Sequence, residues 1–293
     1  DLRKTNKRVL EALIRSGAAD ALGPSRSAMM ASLKNATQYA EQLNKNVSRG
    51  QDDMFGLLVK SSRDKSDTNG EEGFIEAREW DDEQRLRGEK DTLGFYLRGH
   101  PISRHEDELS SIVTTQLNSI NLGNVRVAGY IENIRTRSGR RGRMAEVRID
   151  DRTARAHVNV YSDVYQQYRS ILQKDTLVII FGDVVQDDYY ASGYSIKANR
   201  IFDLAGIRSM CSKLILRIDK QMMQNGLLTS VQNVLKEHTN GNNTVNIQYN
   251  NGNALGSLQL GEGWQVEVND KLIEELTGLL GSDHINIEYE RFQ

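Results

Sequence analysis

Apolar residues along this chain follow helical spacing near the start, lose all spacing between about 44 and 79, and turn to period-two alternation from about 124 onward. Val9, Leu10, Leu13 and Ile14 recur at helical intervals and are stopped by Gly17, after which Asp20-Ala21-Leu22-Gly23-Pro24 reads as a turn. Ser25 or Ser27 then caps a second predicted helix to about Leu43, with Met29, Met30, Leu33, Ala36 and Ala40 on its apolar side. Helical spacing resumes near Trp80 with Leu86, Leu93 and Leu97, and should end at Gly99-His100-Pro101, because the residue before a proline is pushed out of the α region. Another short helix is predicted from Ser103 to Ile112.

Beyond Asn124 five runs alternate. Val125, Val127, Gly129 and Ile131 mark the first, Ala145, Val147 and Ile149 the second, and Ala154, Ala156, Val158 and Val160 the third. A helix from Asp163 to Leu172 separates these from runs at Leu177 to Val185 and Tyr194 to Phe202. Five strands with one helix between the third and fourth is the element order of the OB-fold barrel. After Gly206 the pattern gives strand Leu214 to Ile218, helix Gln221 to Lys236, strands Thr244 to Tyr249, Ala254 to Leu260 and Trp264 to Val268, helix Asp270 to Leu280, and strand Ile285 to Tyr289. The expected architecture is therefore multi-domain α+β: a helical segment with a flexible linker, a five-stranded OB-fold barrel and a C-terminal α+β domain. The linker is expected because Ser61 to Glu72 is almost wholly polar and cannot bury enough apolar area to offset its ordering entropy.

A length of 293 residues accommodates about two domains, and a formal charge of −2 supplies no global attraction to nucleic acid, so any such contact must be local. The single cysteine, Cys211, excludes an intramolecular disulfide framework, and the N-terminal residues lack an apolar export signal. A cytoplasmic location without membrane contact is expected. A chain that starts at Asp1 inside a helical pattern is also expected to be a piece of a larger protein.

For catalysis the sequence offers no phosphate cradle, no His-rich ligand cluster and no nucleophile elbow, so no catalytic residue, metal site or cofactor is assigned. The pairs Asp81-Asp82, Asp150-Asp151 and Asp187-Asp188 are adjacent in sequence, and adjacent residues on a strand point to opposite faces. The positive signal is a basic stretch between the first two barrel strands, Arg135, Arg137, Arg140, Arg141 and Arg143, broken by Ser138, Gly139 and Gly142. That loop flanks the binding face of an OB-fold, where guanidinium groups neutralise phosphates. Tyr130, Tyr161, Tyr189, Tyr190 and Tyr194 lie nearby and offer stacking surfaces for unpaired bases. Two readings stay open here, a single-stranded nucleic-acid site and a solubilising loop on a packed barrel. The second signal is Gln51-Asp52-Asp53-Met54-Phe55, an apolar pair beside a glutamine in the polar linker. It suits a short linear motif that inserts Met54 and Phe55 into a partner's pocket, or else a local cluster that pins the linker.

Three stretches together resemble the alpha subunit of bacterial DNA polymerase III, the C-family replicase. Lys7 to Asp20 looks like the end of that family's helix-hairpin-helix region, Gln51 to Phe55 is similar to its internal sliding-clamp motif, and Glu89 to Ile102 matches the segment before its OB domain. The resemblance implies the end of the helix-hairpin-helix region at 1–45, a linker with the clamp motif at 46–79, a helical connector at 80–119, the OB domain at 120–206, and a clamp-loader-binding domain at 207–293. It further implies a sliding clamp (beta subunit) bound through Gln51, Asp52, Asp53, Met54 and Phe55, and the tau subunit of the clamp loader as a second partner. Single-stranded template would be the third, held by Arg135, Arg137, Arg140, Arg141, Arg143, Tyr130 and Tyr161. The family's palm, with its magnesium-binding aspartates, has no counterpart here, so the chain alone is expected not to polymerise DNA. The rival readings are a stand-alone OB-fold protein for single-stranded DNA or tRNA, and a nuclease or nucleotidyltransferase domain.

Overall fold

Asn6 opens the first helix, α1 (Lys7–Ser16), by accepting the Val9 N–H on its side chain, and Gly17 closes it in the left-handed region at φ 82°. This geometry comes from a computed structural model in which residues 5–48, 73–139, 142–223 and 226–289 are described. Two units result, Asp1–Pro101 and Ile102–Gln293.

In the first unit α2 (Arg26–Ser48) follows, its start capped by the Ser25 hydroxyl, which accepts from the Ala28 N–H at 3.1 Å. The helix runs about a turn past the expected end at Leu43, since nothing between Ala40 and Ser48 is a glycine or proline. α3 (Asp82–Leu93) is capped by Asp81 and stops at Gly94, φ 82°, whose N–H bonds the Lys90 carbonyl. It was expected to continue through Leu97; the left-handed glycine ends it first, leaving Leu97 exposed outside the helix. α3 approaches α1 at Gly88, where a Cβ would meet the Arg15 carbonyl at 3.1 Å.

A buried charge cluster fixes this unit. Glu89 is fully buried; its Oε1 accepts both Arg26 terminal nitrogens at 3.3 Å, and its Oε2 accepts the N–H groups of Leu97 (2.9 Å) and Arg98 (3.1 Å). Arg26 also donates to Asp20 at 2.8 and 3.0 Å and to the Arg15 carbonyl. The Glu89-to-Pro101 stretch is therefore a chain reversal folded around one carboxylate. The clamp-like peptide, Gln51 to Phe55, lies outside the described residues, as does most of the expected linker.

A 3₁₀ turn, Pro101–His105, spans the boundary and is followed in the second unit by α4 (Glu106–Ser110), where one longer helix was expected. Five strands follow: β1 (Gly123–Gly139), β2 (Gly142–Asp150), β3 (Arg155–Val160), β4 (Leu177–Gln186) and β5 (Tyr194–Phe202), with α5 (Ser162–Tyr168) between β3 and β4. They pair in the order β1-β2-β3-β5-β4, with β4 returning to β1, so the sheet closes. Only the β3–β5 pairing is parallel. Inward residues alternate as the pleat demands, and Val127, Ile131, Val147, Ile149, Val158, Ile180, Ile196 and Ile201 fill the interior with no exposure. Gly182 sits at a β4 bulge so close to the Lys197 carbonyl that a Cβ there has no room.

α6 (Leu204–Arg208) leads into the terminal sheet, β6 (Cys211–Asp219), β7 (Thr244–Asn250), β8 (Leu255–Gln259) and β9 (Ile285–Tyr289), ordered β8-β7-β6-β9. α7 (Leu227–Glu237) is the crossover between parallel strands β6 and β7, and α8 (Asp270–Leu280) precedes β9. Leu214, Leu216, Val245, Leu272 and Leu276, all fully buried, centre the core between helices and sheet. Two expectations fail here. Trp264 to Val268 is no strand: Trp264 ends a 3₁₀ turn and Val266 makes only an isolated bridge with Asn243. The crossover helix starts at Leu227 rather than Gln221, because Gly226 takes a positive φ of 76° at its N-cap.

Candidate nucleic-acid interface

The arginine-rich stretch is strand rather than loop. β1 and β2 stay paired through Arg135↔Glu146, Arg137↔Met144 and Ser138↔Arg143 to Gly139↔Gly142, so the basic residues ride on a projecting hairpin. The signal for this lay in the alternation itself. Ile134 pairs with Val147 and packs on the core, which sends Arg135 and Arg137 to the outer face together. Arg143 pairs with Ser138 and shares the opposite parity, so the hairpin divides the arginines between its two faces. Arg140 and Arg141 lie outside the described residues.

Register builds a row that no single stretch of sequence reveals. Arg135 stands beside Glu146, Glu146 beside Asn159 and Asn159 beside Lys197, crossing β1, β2, β3 and β5 on the outside of the barrel. Arg148 and His157 form the neighbouring pair. The His157 ring stacks on Tyr190 at 4.0 Å and 17°, and Tyr189 meets Tyr190 edge-on at 5.1 Å. Tyr189 is 73% exposed, the most open aromatic ring on this face. Tyr161 is exposed and lies 6.0 Å from the Lys197 ammonium. Tyr130 is elsewhere, packed against the cluster of Ile102, Leu109, Ile112 and Ile207, and contributes nothing to this face.

Charge on the face is largely paired, which decides which cations remain available. Arg148 bonds Glu132 at 2.9 Å, Arg155 bonds Glu132 at 3.0 Å and Asp150 at 3.2 Å, and Arg137 reaches Glu146 at 3.3 Å. Arg137 is also hydrogen-bonded to Tyr189, and that bond, followed by the charge of Glu146, raises its pKa above the ordinary arginine value. Burial pushes the Tyr190 hydroxyl up to about 12, helped by the Glu146 carboxylate. Arg135 is exposed and has no ion-pair partner among the described residues. The acidic pair of the β4–β5 turn is partly occupied internally: Asp187 accepts from the Ser195 hydroxyl at 2.9 Å and the Tyr189 N–H at 3.2 Å. Ser195 in turn accepts from the Asn159 amide at 3.1 Å. Sequence reading missed Glu146, His157 and Asn159, each ordinary in sequence and brought to the face only by cross-strand register.

Among the described residues no group of three or more His, Cys, Asp or Glu side chains is placed to hold a metal ion. Among the same residues no helix is long and apolar enough to cross a membrane.

Comparison with known proteins agrees with this arrangement. Residues 125–204 match the family described as OB-fold nucleic acid binding domain, and residues 230–281 match DNA polymerase III subunit alpha, C-terminal domain. The DNA polymerase III subunit alpha of Vibrio cholerae is 34% identical over 99% of this chain, and that of Escherichia coli K12 is 32% identical over 99%. The chain spans 25% of the length of either relative. With two family models in register along it and such likeness from end to end, this chain is similar throughout to the C-terminal region of the bacterial DNA polymerase III alpha subunit.

Proposed function

We propose that this region grips rather than reacts, holding a replicative polymerase to single-stranded template, to the sliding clamp and to the tau subunit of the clamp loader. The observation that carries the DNA reading is the barrel face, where unpaired Arg135, Lys197 and the Tyr189–Tyr190–His157 aromatic tier lie on and beside the β2–β3 surface. In an OB-fold that surface and its flanking hairpins take up single strands, with cations following the backbone and rings stacking on bases. Lys197 and Arg135 are the phosphate guides, and Tyr189 and Tyr161 supply the stacking surfaces. Arg137 positions Tyr189 and exchanges its Glu146 partner for phosphate.

The test is fluorescence anisotropy of a labelled oligodeoxythymidine with the full chain across a salt series. Arg135→Ala combined with Lys197→Ala is expected to weaken binding at least tenfold and to reduce the salt slope by about 1.4, at ~0.7 per lost single-strand phosphate contact. Arg148→Ala, whose guanidinium already serves Glu132, is expected to change little. An unchanged affinity and slope in the double variant would remove the DNA reading. Tighter binding of a structured RNA than of unpaired DNA would favour the stand-alone tRNA-binding alternative.

The clamp contact rests on the Gln51 peptide. Met54 and Phe55 are the anchors, Gln51 is the polar latch, and Asp52 and Asp53 lie between them. Several weak contacts on one chain raise effective concentration, so a modest peptide affinity suffices to keep a polymerase on its template. Calorimetry of the full chain against a purified sliding clamp is expected to lose at least tenfold in affinity with Met54→Ala and Phe55→Ala together. Equal affinity would remove the motif from the account.

A further inference from the structure

Glu146 is the odd member of the barrel face, a carboxylate with only 15% of its side chain exposed among groups suited to phosphates and bases. Its two oxygens address different partners. Oε2 stands 3.3 Å from the Arg137 guanidinium, and Oε1 stands 3.5 Å from Nδ1 of His157. The Tyr190 hydroxyl is hydrogen-bonded to the same carboxylate. Arg137 is more than half exposed on the projecting hairpin, so the cation that balances Glu146 is also open to an arriving phosphate.

The second partner is incompletely used. Nδ1 of His157 is closed to solvent and makes no hydrogen bond among the described residues, and a buried polar atom of that kind calls for a reason. The ring is held in place by its stack on Tyr190, at 4.0 Å and 17°. Other charged groups around it are occupied elsewhere. Arg148 and Arg155, on β2 and β3, are held by Glu132 of β1, and Arg155 by Asp150 as well. In the β4–β5 turn Asp187 accepts from the Ser195 hydroxyl and the Tyr189 N–H, and Lys197 of β5 lies 6.0 Å from the Tyr161 ring. Arg135 of β1 stands beside Glu146 in register and is exposed. Glu146 is thus the carboxylate that meets the His157 imidazole.

Once Arg137 turns to phosphate, Glu146 is left as a mostly buried charge without its cation, an unfavourable arrangement. A proton on His157 resolves both faults at once: it makes Nδ1 a charged donor to Oε1 and restores a positive charge beside the carboxylate. We infer that Glu146 is passed from Arg137 to a protonated His157 when a single strand binds, so that this face takes up a proton from solvent together with its ligand. This inference deepens the single-strand reading and rests on it. Binding and protonation are reciprocal, so a strand that recruits a proton binds tighter as pH falls.

The test is titration calorimetry of the full chain with an oligodeoxythymidine, whose bases do not titrate in the range used. It runs from about pH 8 to about pH 6 at fixed ionic strength, in two buffers of different ionisation enthalpy. The intact chain is expected to show net proton uptake and to bind about tenfold tighter at the acid end. His157→Phe keeps a ring against Tyr190 and is expected to bind with neither proton uptake nor pH dependence. Glu146→Gln is expected to bind about threefold tighter than the intact chain near pH 8 and to lose most of the pH dependence. Binding that is independent of pH, with no proton taken up, would overturn the hand-over while leaving the single-strand reading in place. Uptake undiminished in His157→Phe would put the proton on another group and overturn it too. Absence of binding throughout the range would remove both readings.

Discussion

Glu108→Ala is expected to destabilise the unit spanning 102–293 by about 3–5 kcal/mol, the range found when one partner of a buried ion pair is removed. Glu108 accepts from Arg208 Nε and Nη2 at 2.8 Å each and from the Tyr289 hydroxyl at 2.6 Å. Arg208 is 4% exposed on its side chain, and its remaining carboxylate partner, Asp270 at 2.6 Å, is largely in solvent. Burial alone would lower the Arg208 pKa, yet the hydrogen bonds and charge of Glu108, and after them Asp270, raise it. Truncation of Glu108 thus leaves a guanidinium and a phenol in an apolar setting. The cluster joins α4, α6, α8 and β9, so its loss is felt across several elements at once. Urea unfolding followed by circular dichroism measures the cost, and a loss below about 1 kcal/mol would assign the cohesion to Ile179, Phe181 and Ile207 packing instead. The double variant Glu108→Leu with Arg208→Met is expected to be more stable than Glu108→Ala alone, because it removes the stranded charge together with its partner.

What the sequence revealed follows the range of the interactions involved. The barrel was legible because Val and Ile alternate on every strand, and burial of one face fixes that period locally. The β1–β2 hairpin was misread because Ser138, Gly139, Gly142 and the arginines carry loop composition, although Ile134 and Thr136 keep the inward parity going. The Trp264 to Val268 run has strand-like residues but, among the described residues, makes no β pairing beyond the isolated Asn243–Val266 bridge, and pairing is what makes a strand. Glu146, His157 and Asn159 join the candidate face through pairings between separate strands, which a linear pattern cannot place. The Glu89 segment was recognisable by resemblance, but its physical reason is a contact between residues 63 positions apart.

That contact gives the other large expected effect, Arg26→Ala in the first unit. The substitution leaves Glu89, with no exposure, holding only the Leu97 and Arg98 N–H groups, and strips Asp20 of its two Arg26 hydrogen bonds, leaving it Arg98 at 2.6 Å. A cost of about 3–5 kcal/mol is expected, read as faster amide exchange by a factor of roughly 10²–10⁴ in peptides covering α1 and α3. Exchange unaltered in both peptides would show that Met29, Leu33 and Ile14 packing holds the unit without the cluster. The pH dependence separates the charge contribution from packing. Hydrogen bonding to Arg26 holds the Asp20 pKa below its ordinary 3.8, against the opposing effect of burial. A carboxylate with a depressed folded pKa adds stability that is complete above its unfolded pKa and is lost as pH falls through the folded value. The gap between wild type and Arg26→Ala should therefore be constant from neutral pH down to about 5 and narrow below about 4, since protonating Asp20 removes from the wild type what the variant already lacks. A gap that stays the same width at pH 3 would mean that Arg26 acts through its aliphatic stem and its bond to the Arg15 carbonyl, and not through Asp20.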